Sequence, residues 1–92
     1  MWIKDLINTF QRGQAEITFD PHVFDRKDYR NLDILKIEET VRTGIILESK
    51  CDQPNKICFT RYFGKENATY VVITLYHKTF IEVKTAWQKK GR

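Results

Sequence analysis

The change of hydrophobic period at Gly44 is the feature that most constrains the fold of this chain. Four β-rich runs follow this glycine, and three short segments of turn-forming residues separate them. The runs are IILESK, ICFTRYF, ATYVVITLY and FIEVKTAW, and the turns are DQPN, GKEN and HKT. Because short turns join antiparallel strands, the runs predict an antiparallel meander of four strands.

Before Gly44, the apolar residues recur mainly at helical spacing. Residues 2–12 predict an amphipathic helix that ends at Gly13, residues 21–29 predict a second helix that begins at Asp-Pro, and Asn31 or Asp33 caps a third that ends at Gly44. AEITF, residues 15–19, predicts a short strand. The order α-β-α-α-β-β-β-β indicates an α+β fold, with helices on one face of a four- to five-stranded antiparallel sheet.

The length and the net charge of the chain limit its possible domain organisation and its possible partners. A chain of 92 residues with 41% apolar residues can form one small core, and no linker interrupts it. We expect a single domain, 1–92, comprising an N-terminal helix at 1–13, a core at 15–87 and a basic tail at 88–92. The net charge of +4 favours a polyanionic or acidic partner.

The two cysteines and the N-terminus indicate the compartment. Cys51 and Cys58 form neither a zinc quartet nor a CxxC pair, so we expect free thiols and no metal or cofactor. The apolar start of the chain contains Lys4 and Asp5, which argues against a signal peptide or a membrane span. We therefore expect a cytoplasmic protein.

Arg61 and Thr85 fall in the apolar phase of their strands. Alternation places Arg61 with Phe59 and Phe63, and Thr85 with Val83. If the turns are centred, Arg61, Val71 and Thr85 form one cross-strand row on the face that makes the core. Because an unpaired buried arginine is very costly, Arg61 either lines an anion-binding cleft or reaches the rim, where Glu38 or Glu39 can pair with it.

A stripe of basic residues is the second feature of interest. His22, Arg26 and Arg30 share one face of the predicted second helix at i, i+4 and i+8. A histidine in the first turn can act as a neutral general base, and the arginines can clamp phosphates. The alternative is a solvated helix face on which Asp25 and Asp28 accompany the basic residues.

The remaining polar and aromatic residues are expected to play lesser roles. We expect His77 to be a solvated turn residue. Tyr62, Tyr70 and Tyr76 are expected on the sheet face opposite Arg61, packed under the first helix or a partner subunit rather than stacked on bases. The lysines near the C-terminus either are solvated or add affinity for nucleic acid, and they are Lys84, Lys89 and Lys90.

Four short motifs resemble those of a known family. They are His-x3-Arg in HVFDR, the stretch RNLDIL, the helix end IEETVRTG, and the last-strand threonine of FIEVKTAW. Together they resemble small prokaryotic proteins of the RelE/ParE/BrnT-like toxin superfamily. The resemblance covers residues 15–87 and leaves the first helix as an addition.

The resemblance implies a RelE-like fold and metal-independent RNA cleavage. His22 and Arg26 match the helix motif, Thr85 matches the last-strand threonine, and Arg61 occupies a strand position that is often basic. In this mechanism His22 moves the proton of the 2′-OH, Arg26 and Arg61 stabilise the charged phosphorane, and Thr85 donates to a phosphate oxygen. The chain lacks the second basic and tyrosine pair that well-studied RelE toxins carry near the C-terminus.

Three hypotheses follow. The first is a toxin-type endoribonuclease of a toxin–antitoxin system, acting on RNA that is free or on the ribosome, and inhibited by a small acidic antitoxin. The second is a non-catalytic module of the same fold that binds nucleic acid or protein. The third is a structural domain that forms a homodimer through the helix containing Trp2 and Phe10. The first requires His22, Arg26, Arg61 and Thr85 to converge on one phosphate-sized point.

Overall fold

The computed structural model describes residues 15–25, 32–47, 55–77 and 79–92. They form a five-stranded mixed sheet, one α-helix and a short 3₁₀ helix. The α-helix, α1, is Ile34–Thr43, and the 3₁₀ helix is Pro21–Asp25. The strands in chain order are β1 Glu16–Phe19, β2 Ile45–Ile46, β3 Lys56–Phe63, β4 Ala68–Tyr76 and β5 Phe80–Lys90.

The α+β class and the predicted meander are confirmed. The sheet order is β1-β5-β4-β3-β2, and β2 to β5 pair with their sequence neighbours in antiparallel fashion. AEITF forms β1, which pairs with β5 in parallel, so the sheet is mixed, and the expectation of a wholly antiparallel sheet was wrong. β5 continues through Lys90, so most of the expected basic tail is paired with β4.

The predictions of the three helices differ in how they compare with the structure. The helix expected at residues 2–12 lies outside the described residues. The helix expected at 21–29 begins at Pro21, but as a 3₁₀ helix, because Asp20 O accepts a hydrogen bond from Val23 N at 2.9 Å in the tighter i→i+3 pattern. Residues 26–31 lie outside the described part of the chain.

The third predicted helix is confirmed as α1. Asp33 is its N-cap and accepts a hydrogen bond from Leu35 N at 2.9 Å. This contact, and a second from Lys36, lower the pKa of the Asp33 carboxyl. Gly44 ends the helix and donates to Thr40 O at 2.8 Å.

The core lies between α1 and one face of the sheet, which we call the helix face. Ile37 and Val41 of α1 are buried there. The cluster also contains side chains from the 3₁₀ helix and from three strands, and these are Val23, Ile57, Phe59, Phe63, Tyr70, Val72, Tyr76, Ile81, Val83 and Ala86. Burial of these side chains is the main stabilising contribution to a domain of this size.

A β-bulge in β5 changes which side chains reach the helix face. Thr74 pairs with Val83 whereas Ile73 pairs with Thr85, so Lys84 is an extra residue on β5. Because the side-chain period of a strand is two, this extra residue turns Thr85 and the following alternate residues to the opposite face.

The cross-strand row expected from Arg61 through Val71 to Thr85 is therefore wrong. Arg61 pairs with Tyr70 on the helix face, and Thr85 pairs with Ile73 on the other face. Tyr70 also shows that one expectation for the tyrosines was wrong, since Tyr70 and Tyr76 are buried on the helix face. Tyr62 does lie on the face opposite Arg61, as expected.

Candidate nucleic-acid interface

The sheet face away from α1, which we call the second face, contains a trough. Two cross-strand rows run across it, Thr60–Val71–Trp87 and Tyr62–Thr69–Lys89. The middle strand, β4, contributes only the small side chains of Val71 and Thr69, whereas the flanking strands contribute the rings of Tyr62 and Trp87. Since neighbouring strands lie about 4.8 Å apart, the trough spans roughly 10 Å between β3 and β5.

This trough is part of a cleft of about 640 Å³. The end of α1 and the start of β2 add to its wall. The described residues that line it are Thr43, Gly44, Ile45, Leu47, Thr60, Arg61, Tyr62, Thr69, Val71, Trp87, Lys89 and Arg92. A volume in this range is typical of small-molecule and cofactor sites.

The described lining is cationic. It includes Arg61, Lys89 and Arg92, and no Asp or Glu occurs among these lining residues. The Arg92 guanidinium lies 4.4 Å from the centre of the Tyr62 ring, a cation–π contact. The Tyr62 hydroxyl donates to Asn67 Oδ1 at 2.7 Å, which fixes the ring at its other end.

Gly44 allows the helix end to approach β3 closely enough to form the cleft wall. A Cβ at this position would lie 2.5 Å from Thr40 O and 2.7 Å from Thr60 O. Both neighbours are backbone atoms, so no side-chain rotation can relieve the overlap. The wall therefore requires glycine here.

Arg61 lies at the rim of the helix face rather than in the core. Its Nη1 lies 3.1 Å from Glu39 Oε1 and donates to Thr43 Oγ1, and its guanidinium lies 5.0 Å from the Phe63 ring. Arg61 therefore pairs with Glu39 at the rim, which was one of its two expected roles, and it also contributes to the lining of the cleft, with its charge already paired.

A second polar cluster lies where β1 ends beside the bulge of β5. Asp20 is nearly buried, and its Oδ1 lies 2.9 Å from His22 N and 2.8 Å from His22 Nδ1. Lys84 Nζ donates to the other oxygen, Oδ2. Lys84 above all, and then His22, lower the pKa of the Asp20 carboxyl well below its ordinary range, and Asp20 in turn raises the pKa of Lys84.

The cluster extends along β5 to the second histidine. Lys84 Nζ lies 3.9 Å from Glu82 Oε2, and Glu82 Oε1 lies 2.9 Å from His77 Nε2. His77 also stacks on Phe80, with ring centres 4.4 Å apart. His77 does lie in the turn between β4 and β5, as expected, but its side chain is only partly exposed and is held by two contacts.

Three of the four expected catalytic residues are described, and the structure does not bring these three together. His22 lies beside the β1 edge, Arg61 lies on β3, three positions away in the sheet order, and Thr85 lies on the second face. Arg26 lies outside the described residues, as does Arg30. A point shared by His22, Arg61 and Thr85 is thus not formed.

The expected nucleic-acid-binding lysines lie in three different environments. Lys84 contacts Asp20, Lys89 lines the cleft, and Lys90 pairs with Ala68 at the exposed end of the helix face. The cleft formed by Trp87, Tyr62 and Arg92 was not predicted from the sequence. The mixture of aromatic and basic types was one usable signal, and the polar Thr85 beside the buried Ala86 was a second, because it marks the bulge that places Trp87 on the second face.

The described part of the chain contains neither a candidate metal cluster nor a helix that could span a membrane. No cluster of three or more His, Cys, Asp or Glu side chains that could hold a metal ion occurs within it. Its α-helix has 10 residues, and no helix there is long and apolar enough to cross a bilayer.

Comparisons with known proteins return no match. No family model, no curated protein and no solved structure matches the chain. The resemblance to RelE/ParE/BrnT-like toxins therefore depends on the short motifs alone and stays a hypothesis.

Proposed function

We propose that the chain is a nucleic-acid-binding module that holds RNA in the cleft of the second face. The observation that supports this is the lining, in which the rings of Trp87 and Tyr62 lie among Lys89 and Arg92 without a carboxylate among the described residues. Cations that follow a phosphate backbone and rings that stack on bases are the two components of nucleic-acid-binding grooves. RNA is the nucleic acid that the family resemblance implies.

The binding module fits the geometry better than the four-residue ribonuclease does. Arg61 is paired with Glu39, and Thr85 lies on the other sheet face, so neither is placed to act with His22. The RelE-like fold remains part of this proposal, and the order of strand, helix and antiparallel meander supports it.

Two adjacent lysines provide a matched test. Lys89 lies on the second face and lines the cleft, whereas Lys90 lies on the helix face. We would measure the affinity for a labelled mixed-sequence RNA in EDTA over a range of salt concentrations, for the wild type, Lys89→Gln and Lys90→Gln. Loss of one phosphate contact lowers the slope of log affinity against log salt by about 0.7 for a single strand.

The expected result is a weaker affinity and a shallower slope for Lys89→Gln only. Equal effects of the two substitutions would indicate diffuse attraction without a site. The absence of RNA binding by the wild type would refute the module and would favour a protein partner.

RNA cleavage at His22 is a second candidate, supported by the contact between His22 and Asp20. A carboxylate at Nδ1 holds the ring proton there and orients the imidazole, which leaves Nε2 as the nitrogen that can accept a proton. The side chain of His22 is 84% exposed, so a substrate can reach it. In this scheme Asp20 is a positioning residue and Lys84 keeps its carboxylate charged.

The two histidines allow this second candidate to be tested. We expect cleavage of RNA in EDTA to be lost in His22→Ala and retained in His77→Ala, with products that end in a 2′,3′-cyclic phosphate. Intact RNA after incubation with the wild type would refute cleavage at His22, and the binding module would then be the remaining candidate. The toxin–antitoxin assignment, the acidic antitoxin, the homodimer and the cytoplasmic location stay predictions.

A further inference from the structure

We propose that the cleft selects single-stranded nucleic acid, with one base stacked on Trp87 and little preference for base sequence. This inference rests on the proposed function and narrows it. Three observations support it: the shape of the cleft, the different surroundings of its two rings, and the hydrogen bonds of its threonines.

The shape of the cleft favours an unpaired strand. The trough is concave because Val71 and Thr69 lie between two aromatic rings, and its volume of about 640 Å³ is suited to a ligand of a few rings. Proteins read a double helix by inserting a projecting element into a groove, since its bases are stacked inside. A recessed surface can instead receive bases that are not paired.

The two rings of the cleft are not equivalent. The Arg92 guanidinium lies over the Tyr62 ring, and the Tyr62 hydroxyl is bonded to Asn67. Trp87 is half-buried in the row that contains Val71, so its indole is held by the sheet and still borders the cleft. The geometry thus makes Trp87 the platform for a base, and Tyr62 the support for a cation that can reach a phosphate.

The hydroxyl groups of three threonines in the lining already donate hydrogen bonds to backbone carbonyls. Thr43 donates to Glu39 O at 2.7 Å, Thr60 to Tyr70 O at 3.1 Å and Thr69 to Gly91 O at 2.6 Å. These three hydroxyls therefore have no proton left to donate to base edges, which are read by matched donors and acceptors. Stacking accepts every base because each has a π face.

The experiment uses the full chain and 2′-O-methyl oligonucleotides, so that cleavage through a 2′-OH cannot interfere. Affinity for labelled 12-mers is measured by fluorescence polarisation, with homopolymers and a mixed sequence as single strands and with the mixed sequence as a duplex. The variants are Trp87→Leu, which removes the platform, and Trp87→Phe, which keeps a ring. Thermal melting verifies that each variant is folded.

Quenching of Trp87 fluorescence gives a readout that needs no substitution at this position. Trp2 is the only other tryptophan in the sequence, so the fluorescence of Trp87 is measured in the Trp2→Phe variant. We expect single strands to bind about tenfold more tightly than the duplex, Trp87→Leu to weaken this binding about tenfold, and bound single strands to quench Trp87. Trp87→Phe should recover most of the affinity that Trp87→Leu loses, and the homopolymers should differ by less than about fivefold.

The outcomes separate this inference from the proposed function. Equal binding of duplex and single strand, or single-strand binding without quenching of Trp87, overturns the inference and leaves the nucleic-acid module in place. A strong preference for one homopolymer overturns the sequence tolerance. The absence of binding to every oligonucleotide overturns both proposals.

Discussion

Asp20 and Lys84, which are 64 residues apart in the sequence, form an ion pair between the end of β1 and the bulge of β5. Lys84, which is the extra residue of the bulge, is thus also the residue of β5 that contacts Asp20 at the end of β1. β1 pairs with β5 in parallel, with Phe19 opposite Val83. The ion pair lies at the end of the pairing between β1 and β5, where the chain leaves the sheet. It links the bulge of β5 to the residue that precedes the 3₁₀ helix.

The first prediction concerns this carboxylate. Because Lys84 and His22 lower the pKa of Asp20, its charged form stabilises the folded state above the ordinary pKa of 3.8, and this stabilisation is lost as the pH falls below that value. We expect Asp20→Asn to lower the melting temperature by several degrees at pH 7. The difference from the wild type should narrow progressively below about pH 4, because the Asp20 carboxyl of the unfolded chain takes up a proton there, whereas that of the folded protein stays charged to a lower pH.

Thermal denaturation followed by circular dichroism from pH 7 to pH 2 tests this prediction. Glu16→Gln is the control, because Glu16 is exposed at the start of β1, the strand that Asp20 directly follows. It should not change the melting temperature at pH 7. A gap between Asp20→Asn and the wild type that stayed constant down to pH 2 would show that the charge of Asp20 does not stabilise the fold.

The sequence predicted the local structure well because the signals were local. β4 has the bounds of the run ATYVVITLY, and α1 begins after the predicted cap Asp33 and ends before Gly44. Turn residues and a cap act on their immediate neighbours, so a single sequence contains the information that defines them.

The assignment of faces depended on contacts that are distant in the sequence. In FIEVKTAW the alternation breaks after Lys84, since polar Thr85 falls in the apolar phase and Ala86 in the polar phase. This break alone does not distinguish a polar residue in the core row from a bulge. The bulge is accompanied by the contact of Lys84 with Asp20, a residue of another element. One such residue was enough to remove Thr85 from the expected site and to place Trp87 in the cleft.

A second prediction concerns the glycine of the cleft wall. Gly44→Ala should destabilise the fold by about 1–3 kcal/mol, because the new methyl group would overlap two backbone carbonyls. The matched control is Gly64→Ala, where the nearest atom to a new Cβ is a side-chain carbon of Tyr62 at 3.8 Å. Urea denaturation of the three proteins measures the difference. Similar stabilities for the two variants would refute the close approach of α1 and β3.

A third prediction separates the role of Arg61 from catalysis. Arg61 and Glu39 are both partly exposed, so their ion pair should contribute only about 0.2–1 kcal/mol. A double-mutant cycle of Arg61→Ala and Glu39→Ala measures this coupling, and 1 M salt should remove most of it. If the wild type cleaves RNA, Arg61→Ala should retain the activity. A large loss of cleavage with unchanged stability would return Arg61 to the active site.

The last prediction tests the position of α1 on the sheet. Ile37 is 1% exposed within the core, whereas Ile34, on the same helix, is 45% exposed. Removing a buried isoleucine side chain leaves a cavity in addition to the lost apolar burial, so Ile37→Ala should cost about 2–5 kcal/mol. Ile34→Ala makes the same chemical change where water already reaches the side chain, and its cost should be below about 1 kcal/mol. Urea denaturation gives both values, and a larger loss for Ile34→Ala would mean that the other side of the helix faces the sheet.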